Sequence, residues 1–242
     1  MTALFVVSII KKDNSIADIA WGLGFILIAL YTLFRTHLFL ERHLLITFMA
    51  LIWGLRLSTH IFMRNKGKGE DPRYAKWRQE WGTYFFVRSY FQVFILQGFL
   101  MLIIATPIIW IHMSKTPSLK FTDFIGLFIW LIGLLCESVA DYQLAAFLKN
   151  PTNKGKIMMQ GIWQYSRHPN YFGEVLIWWG IFIIALNTPG GLLTIISPLT
   201  ITCLLLFVSG IPMAEKQIEY LPEFHTYKKR TSIFFPWFTK KG

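Results

Sequence analysis

The sequence predicts an all-α polytopic membrane protein, a bundle of six to seven transmembrane helices with a cytosolic cap. Three observations carry this expectation. The 242-residue chain is 54% hydrophobic and 17% aromatic with a positive mean hydropathy, far more apolar surface than one soluble core of this size needs. Apolar runs that can cross ~30 Å of hydrocarbon, roughly 20 residues as helix, recur from end to end. The basic residues alternate from loop to loop.

The first apolar stretch, residues 2–10, is about half a span and too short for a cleavable signal peptide. Full runs follow at 19–34, 44–63, 91–111, 124–148, 172–186 and 192–212. If Lys11 and Lys12 are cytosolic, the loops 64–78 and 149–167 and the tail from Lys216 share their side. That side then holds eighteen Lys and Arg against four, Arg35, Arg42, Lys115 and Lys120, on the other. This asymmetry is the positive-inside rule, and it places both long loops and the C-terminus in the cytosol. The net charge of +11 therefore follows from membrane topology; the basic residues abut spans and nothing resembles a nucleic-acid motif. Cys136 and Cys203 both fall in apolar runs and form no metal or redox pair. In DPRYAKWRQEWG, residues 71–82, Trp77 and Trp81 stand four apart, which suggests a short amphipathic helix in the interface. No linker or repeat interrupts the chain, which reads as a single membrane domain over 1–242.

Ionisable groups in apolar spans are costly, so each one raises a functional expectation. Here they are Asp18, Arg56, Glu137, Asp141 and Glu174. Glu137 and Asp141 share one helix face and repel unless donors or cations satisfy them. Donors on a ribose or an amide would do so, as would Arg56 or Arg88 in a purely structural network. In SRHPNYFGE, residues 166–174, Pro169 starts a helix, and Arg167, His168, Asn170, Tyr171 and Glu174 gather at a span mouth. Free backbone N–H groups there favour anions.

The segment GIWQYSRHPNYFGE, residues 161–174, resembles the C-terminal signature of the steroid 5α-reductase superfamily, to which isoprenylcysteine carboxyl methyltransferases are distantly related. The likeness is to a mainly bacterial branch. It extends over DIAWG (18–22), GLRLS (54–58), DPRY (71–74), LQG (96–98), ESVADYQ (137–143) and a tail with Tyr227 and Pro236. The resemblance implies a multi-pass protein, bacterial inner membrane by that branch, with an NADPH site facing the cytosol in the half approximately 121–242. Cofactor contacts carry over to Asp141, Asn170, Glu174 and Tyr227, and beyond them to Glu137, Lys156 and Arg167. The relatives usually have Asn where Glu137 stands and Glu where Asp18 stands, and Trp53 occupies the place of a third-span Tyr.

The function expected is reduction of an activated C=C bond in a lipid or steroid-like substrate, with NADPH as hydride source. A buried, protonated Asp18 would donate to the substrate's oxygen, helped by Arg56 or a nearby Tyr. The alternative is methyl transfer from S-adenosylmethionine, since the methyltransferase relatives use a similar mouth. No GxGxxG follows a strand, and HExxH and spaced Cys/His sets are absent.

Overall fold

Hydrocarbon offers no partner for backbone N–H and C=O groups, so an apolar run at membrane depth closes its own hydrogen bonds as a helix. The computed structural model describes residues 1–116 and 118–239, and their regular elements are helical. They divide into two compact units, Met1–Leu119 and Lys120–Gly242.

The first unit holds α1 (Thr2–Lys11), α2 (Ile16–Thr36), α3 (Glu41–Asn65), α4 (Pro72–Ile104) and α5 (Thr106–Met113). Helices α2 and α3 form a hairpin whose backbones touch at two glycines. A Cβ on Gly54 would lie 2.6 Å from the Gly22 carbonyl oxygen, and one on Gly22 would strike that of Gly54. Beside this contact Ser58 Oγ donates to Ile19 O at 2.9 Å. Such close approach is how helices associate where lipid removes the hydrophobic drive between them. Phe25 and Trp53 fill the space below, edge to face at 5.4 Å. At the far end of the hairpin Arg42, 1% exposed, donates to the carbonyls of Thr116 and Ser118, tying down the chain after α5.

The second unit holds α6 (Phe121–Lys149), α7 (Pro169–Ala185), α8 (Gly191–Ile218) and α9 (Glu223–Arg230). Helices α6 and α7 pack along two glycine pairs, Gly126 with Gly180 and Gly133 with Gly173. A Cβ on any of the four would come within 2.6 Å of the opposing carbonyl oxygen. The spacing of two turns in each helix keeps both pairs on one face.

Among the described residues five helices are long and apolar enough to cross a membrane, against the six to seven expected. The two that fall short are α1, ten residues, and α7, seventeen. At 1.5 Å per residue α7 is roughly 25 Å long, below the ~30 Å of hydrocarbon. The short helix expected at 71–82 is present as Pro72–Trp81, capped by Asp71 and ended by Gly82, whose φ of 47° is not helical. It forms the first part of α4, which resumes after Gly82 through a 3₁₀ turn at Gly82–Tyr84 and a π-type stretch at Ser89–Ile95. Trp77 and Trp81 stack at 5.3 Å and pack, with Tyr74 and Phe94, against Met1, Leu4 and Phe5 of the N-terminal segment. The run expected at 91–111 ends at Ala105, and Pro107 takes the second position of α5.

Candidate functional site

In the second unit, the chain before α7 is fitted onto α6 by side chains that satisfy its backbone. Gln143 Oε1 accepts from Ile162 N at 3.0 Å, and the Trp163 indole donates to Ala140 O at 3.1 Å. Pro169 then opens α7, with His168 as the residue before the first turn. Gly173 lies so close to α6 that a Cβ there would meet Glu137 N at 2.6 Å. This approach brings Asn170 of α7 to Asp141 of α6, with Glu137 one turn before Asp141 and Glu174 one turn after Asn170. Glu137 is 3% and Asp141 8% exposed. Asn170 Nδ2 donates to Asp141 Oδ1 at 3.5 Å, while its Oδ1 is buried with no protein partner. The cluster is rich in acceptors. A buried acceptor left unmet costs about 1–3 kcal/mol, so the arrangement suits a ligand that brings O–H or N–H donors.

The other five expected cofactor residues lie in or near the chain around the start of α7 and in α9. The Arg167 guanidinium is buried: Nε and Nη2 each lie 2.8 Å from Glu215 Oε1, and Nη1 donates to Lys228 O and Thr231 O. Tyr227, 2% exposed, donates to Trp163 O at 2.6 Å, and burial pushes its phenol up. Both lock the C-terminal segment to the chain before α7. His168 Nε2 stands 3.3 Å from Glu215 Oε1, and its ring stacks on Tyr171 at 5.4 Å. Burial lowers the His168 pKa from its ordinary value, against the pull of Glu215 and with some help from Arg167. Lys156 is exposed in the loop, where the next residue, Ile157, donates its N–H to Glu223. Glu215, which holds Arg167, was not legible as a partner because 48 residues separate the two.

In the first unit Asp18 stands in the first turn of α2 and accepts two hydrogen bonds. Its Oδ1 takes the Tyr74 hydroxyl at 2.6 Å and its Oδ2 takes Arg73 Nη2 at 2.7 Å. Arg73 also binds Asp71, the cap of α4. Burial tends to raise the Asp71 pKa, but the hydrogen bonds from Arg73 outweigh it and hold the carboxyl below its ordinary value. Gln97 Nε2 reaches the Tyr74 oxygen at 3.4 Å, and Gln97 Oε1 is buried without a partner. Trp53 lies in the apolar core against Phe25, and Arg56 is half-buried on α3, one turn from it. The nearby Tyr expected beside Asp18 is thus Tyr74, from DPRY. The available signal was the Asp-Pro cap, which fixes where the following Arg and Tyr point.

A family model described as "protein of unknown function (DUF1295)" matches residues 4–231. An uncharacterised protein of Schizosaccharomyces pombe is 25% identical over 96% of this chain and 75% of its own length. The 3-oxo-5-alpha-steroid 4-dehydrogenase 1 of Homo sapiens is 30% identical over 47% of this chain, and the match covers 40% of that enzyme. A probable O-methyltransferase of Ustilaginoidea virens, ustE, is 44% identical over 46 residues, 19% of this chain and 16% of its own. No solved structure matches.

Proposed function

The chain belongs to the DUF1295 family, within the steroid 5-alpha-reductase superfamily, and on that premise we propose that it is a membrane-embedded, NADPH-dependent reductase of an activated C=C bond in a lipid or steroid-like substrate. The observation that carries this reading is the buried Asn170 Oδ1, unmet beside Asp141 at the start of α7. Carboxamide and ribose groups bring the donor that the buried Asn170 Oδ1 lacks, beside the carboxylate of Asp141, so the residues present fit a nicotinamide nucleotide. When bound, the nucleotide supplies the hydride. The protein's part is to hold the donor groups of the ligand, to exclude water and to polarise the acceptor. Arg167 and Tyr227 contribute by keeping the C-terminal segment against the entrance to α7.

Polarising the acceptor requires a donor aimed at the substrate's oxygen. Hydride addition to an enone builds negative charge on its oxygen, and one aimed donor lowers that barrier by roughly 3–4 kcal/mol. In the first unit the Asp18 carboxylate accepts from Tyr74 and Arg73, and Gln97 donates to the phenol oxygen.

Methyl transfer from S-adenosylmethionine is the second reading. The similarity to the probable O-methyltransferase favours it, and so does the acidic character of the cluster, which suits a sulfonium cation. Titrating the purified protein in nanodiscs with NADPH and, separately, with S-adenosylmethionine distinguishes the two. The proposal expects saturable binding of NADPH; binding of S-adenosylmethionine alone would replace it with the methyltransferase.

A further inference from the structure

After α9 the chain runs beside the segment that precedes α7 and bonds to it through the backbone. Arg167 N donates to Ser232 O at 2.8 Å, Ser166 Oγ to Phe234 O at 2.7 Å, and Trp237 N to Tyr165 O at 3.0 Å. Phe234 turns inward and is 5% exposed, and Phe172, in the first turn of α7, meets the rings of Phe234 and Phe235 edge-on. The remaining large side chains turn outward. Phe235 is 68%, Trp237 69% and Phe238 79% exposed.

On a span such exposure faces lipid and needs no comment. Residues 233–239 belong to no helix. Each of these aromatic side chains carries roughly 150–250 Å² of surface, so several hundred Å² of apolar ring are uncovered, as much as a water-facing surface ordinarily leaves bare. Lys228, Lys229 and Arg230, all exposed, close α9 directly before this stretch. Rings beside a cluster of cations are the composition of a segment lying in the headgroup zone, where aromatic bodies enter the acyl boundary and cations meet anionic lipid. The location agrees with the composition. Phe172 ties the stretch to the entrance of an apolar helix, the level at which a headgroup zone lies.

We propose that residues 233–239, together with Lys228, Lys229 and Arg230, form an interfacial anchor that inserts Phe235, Trp237 and Phe238 into the protein's own bilayer and binds anionic headgroups. Because the same stretch is bonded to Tyr165, Ser166 and Arg167, lipid contact also steadies the chain entering α7. The anchor is independent of which cofactor the protein uses.

The test uses the full chain in nanodiscs, with Cys136 and Cys203 replaced by Ala and a nitroxide on Phe238→Cys. A nitroxide on Lys154→Cys, in an exposed loop, gives the aqueous reference. Collision rates with oxygen and with a water-soluble nickel chelate report depth. In discs containing anionic lipid the label at 238 should show high oxygen and several-fold lower nickel access than the label at 154. Nickel access at 238 should rise several-fold in purely zwitterionic discs. Nickel access equal to that at 154 would place the stretch in water and overturn the proposal. Low access to both probes with dipolar broadening would mean that a second copy covers it, and would overturn it as well. Depth unaffected by lipid charge would refute the binding of anionic headgroups.

Discussion

Replacing Glu215 with Ala tests whether the buried Arg167 is held as the structure describes. Two of its guanidinium nitrogens lie 2.8 Å from Glu215 Oε1, while Nη1 remains tied to Lys228 O and Thr231 O. Those carbonyls keep the head group from swinging into water, so truncation leaves a cation 6% exposed with unmet donors. Breaking one side of a buried pair costs about 3–5 kcal/mol; with the Glu215 side chain still 15% accessible, about 3 kcal/mol is the reasonable figure. Glu215→Gln keeps an acceptor and loses only the charge, for about 1 kcal/mol. Pairing Arg167→Met with Glu215→Leu should recover part of the loss, since no charge then remains buried. Unfolding in mixed micelles of mild detergent and dodecyl sulfate gives the comparison. A Glu215→Ala protein within about 1 kcal/mol of wild type would refute the reasoning.

Three further outcomes follow from the same structure. Gly173→Ala drives a methyl group into Glu137 N and Gly133 O and should cost about 1–3 kcal/mol in the same assay, whereas Gly69→Ala, with nothing within 4 Å, should be near neutral. His168 has a lowered pKa in the folded protein, so the unfolded chain takes up its proton first as the solution is acidified. Its contribution is therefore complete above the ordinary value of 6.5 and is lost as pH falls through 6.5 toward the lower folded value. Melting midpoints taken across that window should decline less in His168→Gln than in wild type. Tyr74→Phe removes one of two donors to Asp18 and should cost about 1.5–3 kcal/mol, read as a lower unfolding midpoint.

The spans were legible because about 20 consecutive apolar residues have few alternatives to a membrane helix, and Pro169 marked the start of α7 for the same local reason it could not continue the loop before it. Lengths were less legible. The polar part of α4 was legible as a short helix from its charges and paired Trp residues, but its continuation beyond Gly82 through the 3₁₀ and π turns was not. At the candidate site, the one-turn spacing of Glu137 with Asp141 and of Asn170 with Glu174 could be read directly. The pairing of the two helices rests on glycine contacts that no local pattern specifies. Arg167 and Tyr227 drew functional expectations because ionisable groups at a span mouth look available. Their partners, Glu215 and the carbonyl of Trp163, lie 48 and 64 residues away. The Tyr expected near Asp18 could not be identified as Tyr74, because 56 residues separate the two and only the fold brings them together.

The most direct measurement of the central claim is the affinity of NADPH for wild type and for Asn170→Ala, each first shown to unfold at the same midpoint. Loss of the ligand's contact with the buried amide should weaken binding at least about tenfold, the equivalent of 1.4 kcal/mol. Equal affinity in two well-folded proteins would contradict the assignment and remove the cluster between α6 and α7 from the cofactor site.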